Sequence, residues 1–305
     1  MNGISARVSG GPHLRVVPQP ATSDLSELPR TVLGKESAVD ELNSLIGLLQ
    51  VKNLIFEIYA FADVQKRRER AGLASQNTVL HMIFKGNPGT GKTTIARIIG
   101  RLLLEAGLLQ KGHVVEVERA DLVGEYIGHT AQRTREQIRK AQGGILFVDE
   151  AYSLCRGGDK DFGKECVDCI VKGMEDASRE TVFILAGYPL EMEQFLRSNP
   201  GLRSRFPIHL DFPDYGVDDL LKIADLMLGK RDYKLAGDAC PVLERIVRER
   251  MAYEVIPSNA RLVRNLIEKA IRRQAVRLVR DKSFTRQDLM LIAARELLEA
   301  SDDVV

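Results

Sequence analysis

Apolar residues recur along this chain in two rhythms, and the alternation between them lays out the architecture. Val39, Leu42, Leu45 and Ile46 share one helical face from Glu36 onward, and Gly47 interrupts the pattern. Leu54, Ile55, Ile58, Phe61 and Val64 then mark a longer helix that Gly72 is placed to end. Thr78 to Lys85 is a short apolar run of strand type. Thr93 to Leu104 returns to helical spacing through Ile95, Ile98, Ile99 and Leu102. His113 to Glu118 predicts a second strand, and Thr130 is placed to cap a helix running through Arg133 to Gln142. Ile145 to Val148 is apolar throughout, as a strand buried on both faces must be. A helix at Lys164 to Asp176, a strand at Thr181 to Ala186 and a shorter strand at Ile208 to Phe212, closed by Pro213, complete the alternation. Strands interleaved with helices predict an α/β fold with a parallel sheet and helices on both faces.

Strand signals stop after Pro213. Val217 to Leu228, Asp238 to Tyr253, Ser258 to Val279 and Thr285 to Leu298 predict four helices, the third with Val263, Ile267, Ile271 and Ala275 as its packed stripe. Residues 1–35 mix Gly, Pro, Ser and polar side chains without a period and predict a disordered tail. The expected division is therefore a tail at 1–35, an α/β domain at 36–212 and an all-helical domain at 213–305.

Between the first strand and its helix lies Gly86-Asn87-Pro88-Gly89-Thr90-Gly91-Lys92-Thr93, followed by Thr94. Glycines let successive backbone N–H groups converge on phosphate oxygens at the positive end of a helix dipole. In this pattern the lysine adds charge near the β and γ phosphates, and the Thr93 hydroxyl is a ligand for Mg²⁺. The strand at Ile145 to Val148 delivers Asp149 and Glu150 at its C-terminal end, where open α/β sheets bind ligands. Asp149 suits the metal's water shell and Glu150 the polarisation of an attacking water. Phosphoryl transfer needs mainly this positioning and charge neutralisation.

Composition narrows the classes. Forty-four basic against 42 acidic residues give a formal charge of +2 in 305 residues, so no global charge favours nucleic acid or an anionic membrane. The cluster Lys66, Arg67, Arg68 and Arg70 complements the C-terminal end of its own helix. Most arginines of the third C-terminal helix (Arg261, Arg264, Arg272, Arg273, Arg277, Arg280) are expected on a solvated face. No apolar run approaches the ~20 residues of a bilayer span, and no apolar signal core opens the chain, which predicts a cytoplasmic protein. Cys166 and Cys169 form a lone C-x-x-C without the second pair a metal site requires, and Cys155 and Cys240 stand apart; all four are expected as reduced thiols.

With these residues in place, the chain resembles the AAA+ ATPases. GNPGTGKT and ILFVDEA are similar to their Walker A and Walker B motifs. LHMIFKGNPGTGKTTIAR, KGH with RADLVGEYIGHTAQRT, GGILFVDEAYSL, ILAGY, NPGLRSRFPIHLDFPDY and NARLVRNLIEKA resemble the branch containing stage V sporulation protein K and CbbX, the red-type rubisco activase. ADLVGEYIGHTAQ and SRFPI lie closer to the former. The resemblance covers about residues 36–295. It implies ATP and Mg²⁺ as cofactors, a helical lid at the C-terminus and a homo-hexameric ring that remodels an unidentified protein client. It implies further that Ile46 and Gly47 sit at the adenine and that Tyr126, Ile127 and Gly128 form a pore loop gripping the client. Arg205 would be the finger presented to a neighbour's γ-phosphate, with Arg203 as the other candidate. Arg261 would be the lid arginine that senses phosphate, with Arg264 second. The fourth strand ends Leu185-Ala186-Gly187-Tyr188 and lacks the usual polar sensor, so that role stays unassigned. An aromatic beside glycine on a loop suits a sequence-tolerant grip; a tyrosine packed on the sheet is the other reading. A nucleotide-gated scaffold without threading is the alternative function.

Overall fold

A computed structural model of the chain describes residues 37–74, 79–126, 128–156, 162–176, 181–281 and 283–302. The predicted tail, Ile127 and the start of the first predicted strand at Thr78 lie outside them. Helix α1 (Ala38–Ser44) starts on the Ser37 side chain, which accepts from the Val39 N–H. The chain then breaks at Gly47 and Leu48, both at positive φ, before α2 (Leu49–Arg70). Strand β1 (Met82–Gly86), helix α3 (Lys92–Glu105), strand β2 (Val114–Val117), the single turn α4 (Arg119–Leu122) and helix α5 (His129–Lys140) follow. Next come β3 (Ile145–Val148), a 3-10 turn at Ala151–Cys155, α6 (Gly163–Asp176), β4 (Val182–Gly187), α7 (Pro189–Ser198), α8 (Pro200–Arg205) and β5 (Ile208–Phe212).

The five strands form one parallel sheet in the order β2-β3-β4-β1-β5. Because strand side chains alternate with period two, the inner strands β1, β3 and β4 each feed two cores, while edge strand β5 feeds one. Met82 and Phe84, Ile145 and Phe147, and Val182 and Ile184 point into one cluster with Leu42, Ile55 and Ile98; this cluster continues into the C-terminal helices through Leu220, Leu243 and Val263. Ile83, Leu146, Val148, Phe183 and Leu185 point the other way, into a second cluster with Leu122, Ile170, Phe195, Leu202 and Phe206. Helices α1–α3 therefore cover one face, and α4–α8 the other. The α/β class with helices on both faces is as the sequence predicts.

The C-terminal part is helical: α9 (Val217–Gly229), α10 (Ala239–Tyr253), α11 (Ala260–Asp281), α12 (Arg286–Met290) and α13 (Ala294–Asp302). Two expectations fail here. The single helix predicted at Thr285 to Leu298 is two helices, separated by β7 (Leu291–Ile292), which pairs in parallel with β6 (Lys234–Leu235). Strands of two residues carry no periodicity to read. The α11 stripe also rotates: Val263 and Ile267 are buried, Ile271 is half-buried and Ala275 is exposed, while Gln274 is buried in its place. Four-residue steps advance about 40° each around a helix of 3.6 residues per turn, so the third step leaves the buried face. Thr130 is likewise not a cap. Gly128 holds that position, and the buried Thr130 hydroxyl accepts from the Gly124 N–H instead. Phe61 and Val64, part of the apolar pattern that marks α2, are exposed. The sequence reading also missed α4 and α8, which are too short for a period to show, and the ten-residue α7, although Met192, Phe195 and Leu196 share its buried face.

Candidate phosphate site at the β1–α3 loop

Strand β1 ends at Gly86, where a Cβ would lie 2.6 Å from the Phe212 carbonyl of β5. The chain then runs over to α3 through Gly89 (φ +72) and Gly91 (φ +96), conformations that favour glycine. Thr90 is buried, its hydroxyl donating to the Asn87 carbonyl at 2.8 Å, which pins the loop from below. Lys92 opens α3, and its ammonium donates to the Gly86 and Asn87 carbonyls at 2.8 and 2.9 Å. Burial pushes the Lys92 pKa below its ordinary value, and the charge of Asp149 opposes that shift most. Thr93 is half-buried and Thr94 exposed. An ammonium, a helix N-terminus with glycine-freed backbone, a hydroxyl and two acids make a donor set that fits a polyphosphate with a divalent cation.

Asp149 and Glu150 leave β3 as the sequence predicts. The Asp149 N–H donates to the Val117 carbonyl, and its carboxylate accepts from the Glu150 N–H at 3.0 Å. Glu150 is exposed at φ +46, an uncommon backbone state for a residue with a side chain. Both acids act on the Lys92 charge, as do Arg261 and Asp214. Arg205 is not among these charges. It lies at the end of α8, paired with Glu175 of α6 and donating to the Gly201 carbonyl at 2.8 Å. Arg203 is exposed beside it, with no ion-pair partner among the described residues.

Tyr126 projects between α4 and α5 and is 66% exposed, its ring edge-on to His129; it does not pack on the sheet. Gly128 follows at φ +84 with open space where a Cβ would sit. A cavity of about 440 Å³ joins the base of this loop to Glu150, lined by Glu118, Arg119, Val123, Gly124, Glu125 and Glu150. Arg119 of α4 donates to the Ser153 carbonyl at 2.7 Å, in the turn just beyond Glu150.

Ile46 is half-buried before Gly47, where a Cβ would meet the Tyr215 ring at 3.3 Å. Arg261 stands one residue into α11, exposed; Arg264 is exposed one turn on. Tyr188 precedes α7 with its ring 5.8 Å from that of Tyr152. Cys166 is buried, receives the Thr134 hydroxyl, and has its pKa pushed up to about 12 by burial. Among the described residues no His, Cys, Asp and Glu cluster of metal-binding shape occurs, and no helix is long and apolar enough to cross a membrane.

Residues 82–214 match the model for the ATPase family associated with various cellular activities (AAA), and residues 216–304 match the AAA lid domain. Stage V sporulation protein K of Bacillus subtilis is 53% identical over 259 residues, 84% of this chain and 80% of that protein. The chain belongs to the AAA+ ATPases. This ATPase is also 42% identical to the plasmid protein CbxX of Cupriavidus necator, over 92% of its length and 91% of CbxX. It is 42% identical to the chloroplastic ribulose bisphosphate carboxylase/oxygenase activase of Cyanidioschyzon merolae, over 87% and 92%. Among solved structures, the FIGL-1 AAA domain superposes with a TM-score of 0.58 at 16% identity, covering 86% of the ATPase and 82% of that chain. A Thermotoga maritima RuvB mutant superposes at 0.56 and 19%, covering 89% and 73%. At these identities the two structures establish the fold alone. Reading by sequence missed Asp214, Tyr215 and Asn259 as neighbours of the phosphate loop. They stand far from it in sequence, and no local spacing marks them.

Proposed function

We propose that this ATPase hydrolyses ATP with Mg²⁺ in a homo-hexameric ring and uses the Tyr126 loops to remodel a protein client. Lys92 and the backbone N–H groups of the 86–91 loop, Pro88 excepted, would hold the phosphates, Ile46 and Gly47 the adenine, and Thr93 and Asp149 the Mg²⁺. The cation's chemistry is neutralisation of charge on the transferring group. Glu150 would orient the attacking water. The observation that carries this reading is the cavity shared by Glu150 and the Gly124–Glu125 base of the Tyr126 loop. This shared lining supports a coupling between the proposed grip and the proposed hydrolytic acid.

Arg205 supports the assembled state. It does not act on its own chain's Lys92 and lies beside Leu202 and Phe206 of the other core, which supports a role toward a neighbour's phosphates. A ring with heterologous contacts supplies such a neighbour, and a finger of this kind is worth roughly 10³–10⁵ in turnover. The relative named a ribulose bisphosphate carboxylase/oxygenase activase suggests a client of that sort, and the sporulation relative a different one.

Hydrolysis per subunit, measured as protein concentration rises through the assembly range, tests the reading. Specific activity should climb, and Arg205→Ala should stay flat at the basal rate. Constant activity per subunit, indifferent to Arg205, would remove the finger from the mechanism. Tyr126→Ala should keep basal hydrolysis and lose remodelling of an added client; remodelling that persists would favour a nucleotide-gated scaffold.

A further inference from the structure

We infer that Asn259 is a positioning residue that clasps the lid to the phosphate loop through Asp214. The inference rests on that loop being the nucleotide site. Asn259 sits immediately before α11, only 3% exposed and at φ +52, a left-handed state that asparagine tolerates better than most side chains. Its carbonyl accepts from the Tyr215 N–H at 2.8 Å. Its amide donates to Asp214 Oδ1 at 2.7 Å, to the Pro257 carbonyl at 3.0 Å and to the Pro88 carbonyl at 3.2 Å. One side chain thus joins three segments: the phosphate loop, the turn that leads from β5 into the lid, and the start of α11.

The surrounding contacts tighten the same joint. Both Asp214 carboxylate oxygens accept from the Asn87 amide, at 3.0 and 2.9 Å. The Ala260 N–H donates to the Gly89 carbonyl at 3.2 Å, and the Tyr215 hydroxyl to the Thr90 carbonyl at 3.3 Å. A Cβ on Gly89 would meet the Ser258 carbonyl at 2.3 Å and the Arg261 nitrogen at 2.7 Å, so no side chain fits between loop and lid.

The partners fix the chemistry. The Tyr215 N–H needs an acceptor, while Asp214 and the Pro88 carbonyl need a donor, and only a side chain carrying both satisfies the set. A carboxylate at 259 would face the Asp214 carboxylate and the Pro88 carbonyl, acceptor against acceptor. Arg261 follows two residues later and acts on the Lys92 charge, so Asn259 sets where that arginine stands relative to the loop. The lid angle and the loop conformation then change together, and nucleotide affinity reports both.

The test uses the full chain, a fluorescent ADP and ATP titration, and steady-state kinetics. Asn259→Asp should weaken nucleotide binding and raise KM by about tenfold or more, the loss of a buried charged-group hydrogen bond. Combining it with Asp214→Asn reverses donor and acceptor across the pair while the Pro88 and Pro257 carbonyls still lack their donor, so part of the loss should return. Parental affinity in Asn259→Asp would overturn the inference, as would a double variant no better than the sum of the singles. Asn259→Gly keeps the backbone state without new charge. It should bind nucleotide as weakly as Asn259→Asp, and full affinity there would again overturn the clasp. Lys92→Ala separates the two readings: if it also leaves affinity intact, the site assignment fails rather than the clasp.

Discussion

His81, immediately before β1, is 3% exposed, and its Nδ1 accepts from the Phe183 N–H at 3.2 Å with the Phe183 ring edge-on at 5.2 Å. Burial lowers its pKa to about 4 from 6.5. The unfolded chain therefore binds the extra proton first, and stability present above pH 6.5 is lost as pH falls toward 4. The loss is roughly 3 kcal/mol. Urea unfolding at several pH values should show this slope, and His81→Leu should flatten it while lowering stability at neutral pH, where the Phe183 N–H loses its acceptor. An unchanged slope would mean another group titrates. Nothing in the sequence marks His81 in this way, whereas Lys92, Asp149 and Glu150 stood out at once. The difference is physical: phosphate chemistry is packed into one contiguous loop and one strand end, while a burial-driven pKa depends on side chains a hundred residues away.

Among the elements, the sheet strands and most of the longer helices were legible because buried faces impose a period, although α7 was missed. Elements held by side-chain-to-backbone bonds were not. Lys66 illustrates this: its ammonium reaches the Ala106 and Gly107 carbonyls at the end of α3, so part of the basic cluster expected to serve its own helix serves another. Gln274 is the stronger case. Its amide donates to the carbonyls of Asp288 and Leu291 at 2.8 Å and of Leu289 at 3.3 Å, tying α12 and β7 to α11. Gln274→Leu fills the space but orphans those carbonyls, and unfolding by denaturant should show a loss of about 1–3 kcal/mol. A neutral result would mean water replaces the amide.

At the scale of the whole molecule, the Arg205–Glu175 contact links α8 to α6 within one chain. Both partners keep substantial exposure, and such pairs contribute about 0–1 kcal/mol. On the proposed finger role, the contact would release the arginine at little cost. Glu175→Ala should shift the concentration for half-maximal ATP hydrolysis downward by less than about tenfold and leave the assembled rate unchanged; a shift beyond that would make the pair a true lock. The two-domain plan was readable from where strand signals end. The joint between the domains was not, since Asn87, Asp214 and Asn259 meet only in space.

The edge position of β2 has a mechanical meaning. Tyr126 follows β2 through α4, and β2 is bonded to the sheet on one side only, through four registered pairs from Val114↔Ile145 to Val117↔Val148. A load applied along the strand shears these pairs together, so that they fail as a group. A load applied across the edge peels them in turn, beginning at one end. If Tyr126 grips a client in a ring as proposed, its anchorage would be strong under tension in one direction and weak in the other, and optical-trap traces should show stalls whose force depends on pulling geometry.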